Sequence, residues 1–254
     1  MKRLGWWCLL AGVALLAAAL VLPARWLMVW TPDRALVRIA DAQGSLWAGQ
    51  ARLAVGIPSQ RRSLPDPVHW DVGLAGGPHL VLRHPWLRGP LTLSLGLDGV
   101  FLSAQSLRAP AFMLTTFHAL FNALEPGGEL LLQWPELRLG WRGGVTARQA
   151  EAPVLQAQWL SARSALSAIR PLGDYRASLS AAPSGAYALR LDTDRGPLYL
   201  QGEGVLPPAG RFQFQGWAWA DPGVSDYTQQ ALNGLLTALG PVAGPEGRRS
   251  LRMH

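Results

Sequence analysis

Alternation of apolar and polar positions dominates this chain. Residues 91–97, LTLSLGL, are the cleanest case: Leu91, Leu93, Leu95 and Leu97 point one way, Thr92, Ser94 and Gly96 the other. A period of two marks a strand with one apolar face. Asp98-Gly99 then predicts a hairpin turn into a strand at 100–102. Comparable patterns occupy 69–74, 80–82, 129–133, 136–141, 145–150, 154–159, 175–181, 187–193, 198–201 and 204–206, with Gly or Pro as punctuation. Residues 44–53 read as a glycine-bounded turn feeding a strand that carries a buried Trp47. Within 210–220, Phe212 and Phe214 share one parity, Trp217 and Trp219 the other. A one-residue bulge at Gly216 would return all four rings to one face; without it the strand is buried on both sides.

Two stretches change to a helical period. In 111–124 the apolar residues Leu114, Phe117, Leu120, Phe121 and Leu124 recur at three and four, predicting an amphipathic helix. In 226–239 Asp226 caps, Gln229 closes the box, and Tyr227, Ala231, Leu235 and Leu239 form a stripe with Leu232 and Leu236 beside it. A shorter helix is expected from Thr31-Pro32-Asp33 through Ile39. Ser250 to Arg252 in the Gly/Pro/Arg-rich tail add a last short edge strand, or the tail is disordered. Many short strands and few helices predict a mainly β chain, with a curved antiparallel sheet covered by two short helices.

The third departure is an uninterrupted apolar run at 5–22, eighteen residues without a charge. At about 1.5 Å per residue it spans about 27 Å, close to the hydrocarbon thickness of a bilayer. Trp6 and Trp7 stand at one end, Trp26 and Trp30 at the other, where indoles favour the headgroup region. A cleaved secretory signal competes with an uncleaved anchor. Ala17-Ala18-Ala19 offer a small-residue cut, but Leu20, Val21 and Leu22 continue the run past it, which favours the anchor. Lys2 and Arg3 ahead of the run place the amino end inside and the bulk of the chain outside. The expected layout is a cytoplasmic 1–4, an anchor at 5–22, a juxtamembrane linker at 23–43, a β-rich domain at 44–240 and a tail at 241–254.

Composition narrows the functions. The net charge of +7 comes almost entirely from arginine, and only Arg61-Arg62 and Arg248-Arg249 cluster. Scattered charge of this kind argues against a nucleic-acid partner, while leaving attraction to anionic headgroups open. Cys8, the only cysteine, lies inside the apolar run, so the remainder has neither disulfides nor a thiolate metal site. No nucleophile elbow, phosphate-cradling loop or dinucleotide fingerprint is present. His69, His79, His84 and His118 lack the spacing of a zinc pair, and Asp192 and Asp194 lack further oxygen ligands nearby. No catalytic residue, metal or cofactor is expected. The 12 Trp of the chain read either as core filling or as an indole-lined groove.

Several short motifs follow one another along the chain: the G-S-L-W-A-G-Q-A-R-L segment at 44–53, with Gly44, Leu46, Trp47 and Gly49, and then Trp70 in V-H-W-D-V. Gly127 and Gly128 open a Leu-rich strand, Gly173 and Tyr175 belong to L-G-D-Y, and Gly240 ends the last helix. In this order they resemble the inner-membrane component N of the type II secretion machinery. The resemblance implies a single-pass inner-membrane protein with its bulk in the periplasm, partnered by other secretion subunits, and carries no catalytic residues. A structural accessory role is the leading expectation. The alternative is a lipid-handling β-groove lined by Leu91, Leu93, Leu95, Leu97, Phe212, Phe214, Trp217 and Trp219, with an acyl lipid as partner. An envelope enzyme ranks third, for want of catalytic groups.

Overall fold

The computed structural model describes residues 21–253, apart from 34, 60, 117, 118, 150, 151, 183, 209, 245 and 246. All but two residues of the apolar run therefore lie outside the described residues. Among the described residues no helix is long and apolar enough to cross a membrane. The chain is mainly β with antiparallel pairing and few helices, and it divides into two compact units, 1–85 and 86–254.

In the first unit a short helix α1 (Trp26–Trp30) precedes β1 (Val37–Gly44), β2 (Ala48–Val55), β3 (Arg62–Ser63), β4 (Val68–Gly73) and β5 (His79–Arg83). β1 pairs with β2, β2 with β4 and β4 with β5, while β3 joins the far end of β2. Ala24, Ala51 and Trp70 form the buried core, against which Leu27, Ile39, Val72, Leu80 and Leu82 pack. The helix expected from Thr31 to Ile39 is not formed. Thr31 ends α1 instead, its Oγ1 donating to the Met28 carbonyl at 3.0 Å. Ile39, packed against this core, is drawn into β1 by burial, which overrides the local cap signal. The segment read as a linker, 23–43, carries α1 and nearly all of β1.

The second unit contains β6 (Leu91–Gly96), β7 (Gly99–Leu102), β8 (Gln105–Pro110), a 3₁₀ segment (Ala111–Thr116), α2 (Ala119–Leu124), β9 (Gly127–Trp134), β10 (Leu137–Gly140) and β11 (Val145–Ala147). It continues with β12 (Leu155–Arg163), β13 (Gly173–Ala181), β14 (Tyr187–Arg195), β15 (Leu198–Leu206), β16 (Gln213–Ala220), α3 (Asp226–Leu239) and β17 (Arg249–Met253). β6, β7, β10 and β11 pair in that order. The larger sheet within this unit has eight strands in the order β17-β16-β15-β14-β13-β12-β9-β8. Its register sorts side chains by polarity. Trp159 faces Tyr175, Ala177 faces Leu191 and Leu191 faces Gly202 on one side, while Arg176 opposes Asp192 and Arg190 opposes Glu203 on the other. α3 lies on the apolar side. Leu232, Leu235 and Leu236 are buried there with Leu124, Ala162, Leu172, Tyr175, Leu198 and Ala218. Each leucine contributes about 1.5–3 kcal/mol by leaving water.

Several local expectations shift. The helix expected over 111–124 is split into the 3₁₀ segment and α2, and Phe117 and His118 lie outside the described residues. Thr115 and Thr116 turn their hydroxyls back onto the carbonyls of Phe112 and Met113, both at 2.7 Å, and this three-residue bonding competes with an α-turn. On α3 the cap is Ser225, whose Oγ accepts the Thr228 N–H at 3.3 Å, and Tyr227 is exposed rather than part of the buried stripe. The two stretches at 198–201 and 204–206 are one strand, β15.

β16 has no bulge at Gly216. It stays in register with β15 from Gln213 to Ala220, so Phe214, Gly216 and Ala218 face the α3 side and Trp217 and Trp219 face away. Gly216 and its partner Gly202 instead make room for the Phe214 ring: a Cβ at Gly216 would stand 3.1 Å from it. A register shift does occur in β12 after Trp159, where Ser161 adopts φ 47°. Leu97 is likewise not a strand residue. Gly96 pairs with Gly99, which leaves Leu97-Asp98 as the turn and Leu97 98% exposed.

Candidate interaction surfaces

The first five motif residues meet in the first unit. Gly44 pairs with Gly49, and Gly49 pairs with Trp70 on the next strand. A Cβ at Gly49 would stand 2.6 Å from the Trp70 indole and overlap the Gln43 carbonyl, so only glycine lets the ring lie flat on the sheet. Trp70 is buried, and its Nε1–H donates to the Leu46 carbonyl at 3.2 Å. Trp47 is in the bend before β2 and half-buried, not in a strand core; its carbonyl accepts the Val72 N–H at 2.6 Å. Of the two indoles expected to be buried, Trp70 is and Trp47 is not.

A second junction forms in the other unit. Tyr175 is buried beside Trp159, ring centroids 5.8 Å apart, and its hydroxyl donates to the Leu198 carbonyl at 3.0 Å. Burial pushes the phenol pKa up, so it stays a neutral donor. Gly173 approaches the same ring, and a Cβ there would stand 3.1 Å from the Tyr175 hydroxyl and 2.6 Å from the Arg195 carbonyl. Gly127 lies opposite the irregular part of β12 and accepts the Trp159 Nε1–H at 2.9 Å; Gly128 follows it in β9. Gly240 sits apart from this cluster at the end of α3, donating its N–H to Leu236 O at 3.3 Å.

Asp174, between Gly173 and Tyr175, is the residue that sequence reasoning passed over. Its Oδ1 accepts the Ser161 N–H at 2.6 Å, and its Oδ2 accepts the Arg195 Nε–H at 2.6 Å. The Ser161 amide, joined by the Arg195 guanidinium, holds its carboxyl below the usual range. The carboxylate thus closes the backbone gap opened by the β12 irregularity. An acid set between Gly173 and Tyr175 in the motif was the available signal.

The residues expected to line one apolar groove are divided between two sheets. Leu91 and Leu93 are half-buried and Leu95 half-exposed on β6, whereas Phe214, Trp217 and Trp219 belong to β16. Phe212 stacks near Phe214 at 6.3 Å, and Trp219 stacks on Tyr199 at 5.4 Å with the Arg248 guanidinium over it at 4.6 Å. A cavity of about 600 Å³ lies over the polar side of β6, β7, β10 and β11, among Thr92, Ser94, Phe101, Arg138 and the Glu136–Arg148 ion pair. The other side of the same strands carries a row of apolar residues. Leu95, Val100 and Leu139 are in register across β6, β7 and β10. Leu95, Leu139 and Trp141 are exposed, and the Trp141 indole N–H donates to the Leu97 carbonyl at 2.9 Å. Water-facing apolar residues grouped in this way suit a protein contact.

The edges of the large sheet are blunted. Outside β17, Val242 bridges Arg249 and the Ser250 N–H donates to Pro241 O at 2.9 Å; outside β8, Leu87 bridges Leu107. Among the described residues no group of three His, Cys, Asp or Glu could hold a metal ion. The His79 ring packs against Gly73, and burial lowers the pKa of His84. Asp192 and Asp194 each pair with an arginine, Arg190 and Arg176, at 3.0 Å.

A family model described as type II secretion system protein N matches residues 35–252. The type II secretion system protein N of Klebsiella pneumoniae is 34% identical over 235 residues, 91% of this chain and 86% of that protein. No solved structure matches.

Proposed function

The chain belongs to the type II secretion system protein N family, and from that premise we propose that it is a non-enzymatic accessory component held at the inner membrane by residues 5–22. Its β-rich part lies in the periplasm and contacts other subunits of the secretion apparatus. The observation that carries the contact is the exposed row Leu95, Leu97, Leu139 and Trp141. A free monomer gains nothing from presenting so much apolar side chain at one hairpin end. The blunted edges of the large sheet direct partners to side-chain surfaces instead of added strands. In this reading the motif residues Gly44, Leu46, Trp47, Gly49, Trp70, Gly127, Gly128, Gly173, Tyr175 and Gly240 shape the scaffold and touch no ligand. The test is affinity purification of the full chain from membranes of secreting cells. Secretion subunits should accompany the native chain and be lost from Leu97→Asp/Trp141→Ala; equal recovery with both would sink the assignment of this surface.

A second reading, lipid handling, is favoured by one feature. The apolar side of the large sheet runs past α3, where Leu132, Leu155, Leu179 and Leu189 stay only half-buried. Native mass spectrometry of chain released gently from membranes distinguishes the two, because only this reading requires a retained phospholipid.

A further inference from the structure

We propose that the first unit is seated on the bilayer surface by the outer side of α1, and that the segment at 44–46 fastens the chain as it leaves the apolar run. The proposal rests on the reading of 5–22 as an anchor. The fastening is direct. The Leu46 N–H donates to Leu22 O at 2.9 Å, the Ala24 N–H donates to Gly44 O at 2.9 Å, and Pro23 bridges Ser45. Ala24, two residues past the run, is 0% exposed in the core with Ala51 and Trp70. No slack separates the run from the folded unit, so whatever holds residue 22 also holds the unit within a few ångströms of it.

That placement decides what α1 meets. Ala24 and Leu27, three apart, face the core. Trp26 and Val29, also three apart, face outward at 51% and 78% exposure, with Val21 and Met28 exposed nearby. Trp70 and Ala51 fill the core beneath, and among the described residues nothing in the unit covers the outer stripe. An indole and aliphatic side chains on one side of a short helix, with the exposed Arg25 at its start, match the headgroup–acyl boundary of an anionic membrane. Arg38 is exposed but pairs with Asp33 at 3.0 Å, which leaves Arg25, among the described residues, as the cation beside the stripe; the uncharged run at 5–22 ends immediately before it. The occupant is therefore a lipid surface and not a second protein chain.

The test uses the full chain reconstituted in phosphatidylethanolamine–phosphatidylglycerol vesicles. In a Cys8→Ser background, a spin label is placed at Val29→Cys or, as the control, at Arg52→Cys. Arg52 follows the core residue Ala51 in β2 and so projects from the opposite side of the sheet. Both sites are exposed, so neither label disturbs the core. Collision with oxygen and with a water-soluble nickel chelate then reports depth. The expected result is a label at 29 reached readily by oxygen and several-fold less by nickel than the label at 52. A label at 29 as open to nickel as that at 52 overturns the seat, and so does an immobilised label reached by neither, which indicates protein cover. Carbonate extraction of the same vesicles separates the two premises. Retention of the chain with a water-exposed label at 29 removes the seat and leaves the anchor; release by carbonate removes both.

Discussion

The two glycine–aromatic junctions solve the same problem with different amounts of support. In each, an aromatic ring lies against a strand glycine and its polar atom donates to a neighbouring carbonyl: Trp70 over Gly49 to Leu46 O, Tyr175 beside Gly173 to Leu198 O. Around Tyr175 the core includes three leucines of α3 and the Asp174–Ser161–Arg195 contacts. Around Trp70 the described buried core consists of Ala24 and Ala51, and Ala24 belongs to the segment that adjoins the apolar run. The second unit brings its own covering helix. The first borrows part of its cover from residues 22–24 at the end of the apolar run, so its integrity depends on how that segment is held.

The largest test of that contrast is Trp70→Ala against Tyr175→Ala. Each should cost about 3–5 kcal/mol, as for other buried aromatics. Hydrogen exchange should show Trp70→Ala exposing amides of 37–83 while the second unit stays protected. Loss of protection throughout the chain would break the contrast. Trp47→Ala should cost less than Trp70→Ala, since Trp47 is only half-buried.

Gly49→Ala comes next. The added methyl meets both a ring and a backbone carbonyl, and denaturant titration should register about 1–3 kcal/mol of overpacking. Tyr175→Phe should cost about 1–3 kcal/mol by leaving the buried Leu198 carbonyl without its donor. An undisturbed midpoint would mean that water replaces the hydroxyl.

Asp174→Asn sharpens the comparison by pH. A carboxyl whose folded pKa is depressed binds its proton less readily than in the unfolded chain. Its contribution is therefore complete above the ordinary value of about 3.9 and is lost as pH falls below that, through the folded pKa. The native chain should exceed the variant in stability at pH 7, and the gap should narrow in melts as pH falls below about 4. A gap that does not change over that range would show that Asp174 acts without its charge. The smallest effect belongs to Leu97→Ser, within about 0.5 kcal/mol for a fully exposed turn residue. Its consequence should appear only in partner recovery.

Strands were the legible part, because alternation is local: β13, β14 and α3 lie close to where their periodicity places them. Boundaries failed where a competing local bond was invisible, as with Thr115 and Thr116 turning back on the chain, or Ser225 taking the cap one residue before Asp226. The motif residues were legible as a set but not in their roles. Nothing in G-S-L-W says that the buried indole is the one twenty-one residues beyond Gly49, since that depends on which strand pairs with β2.

The amino-acid sequence by itself determined an apolar run long enough for a bilayer, a chain of short alternating strands, and the absence of thiol chemistry outside that run. All three depend on composition and spacing along the chain. Only the tertiary structure decided which aromatic meets which glycine, that Phe214 and Trp217 face opposite ways, and that residues 22–24 are fastened to 44–46. Those facts arise from strand register and from contacts between distant segments. A shift of one residue would reverse them with little change in the pattern of hydrophobicity.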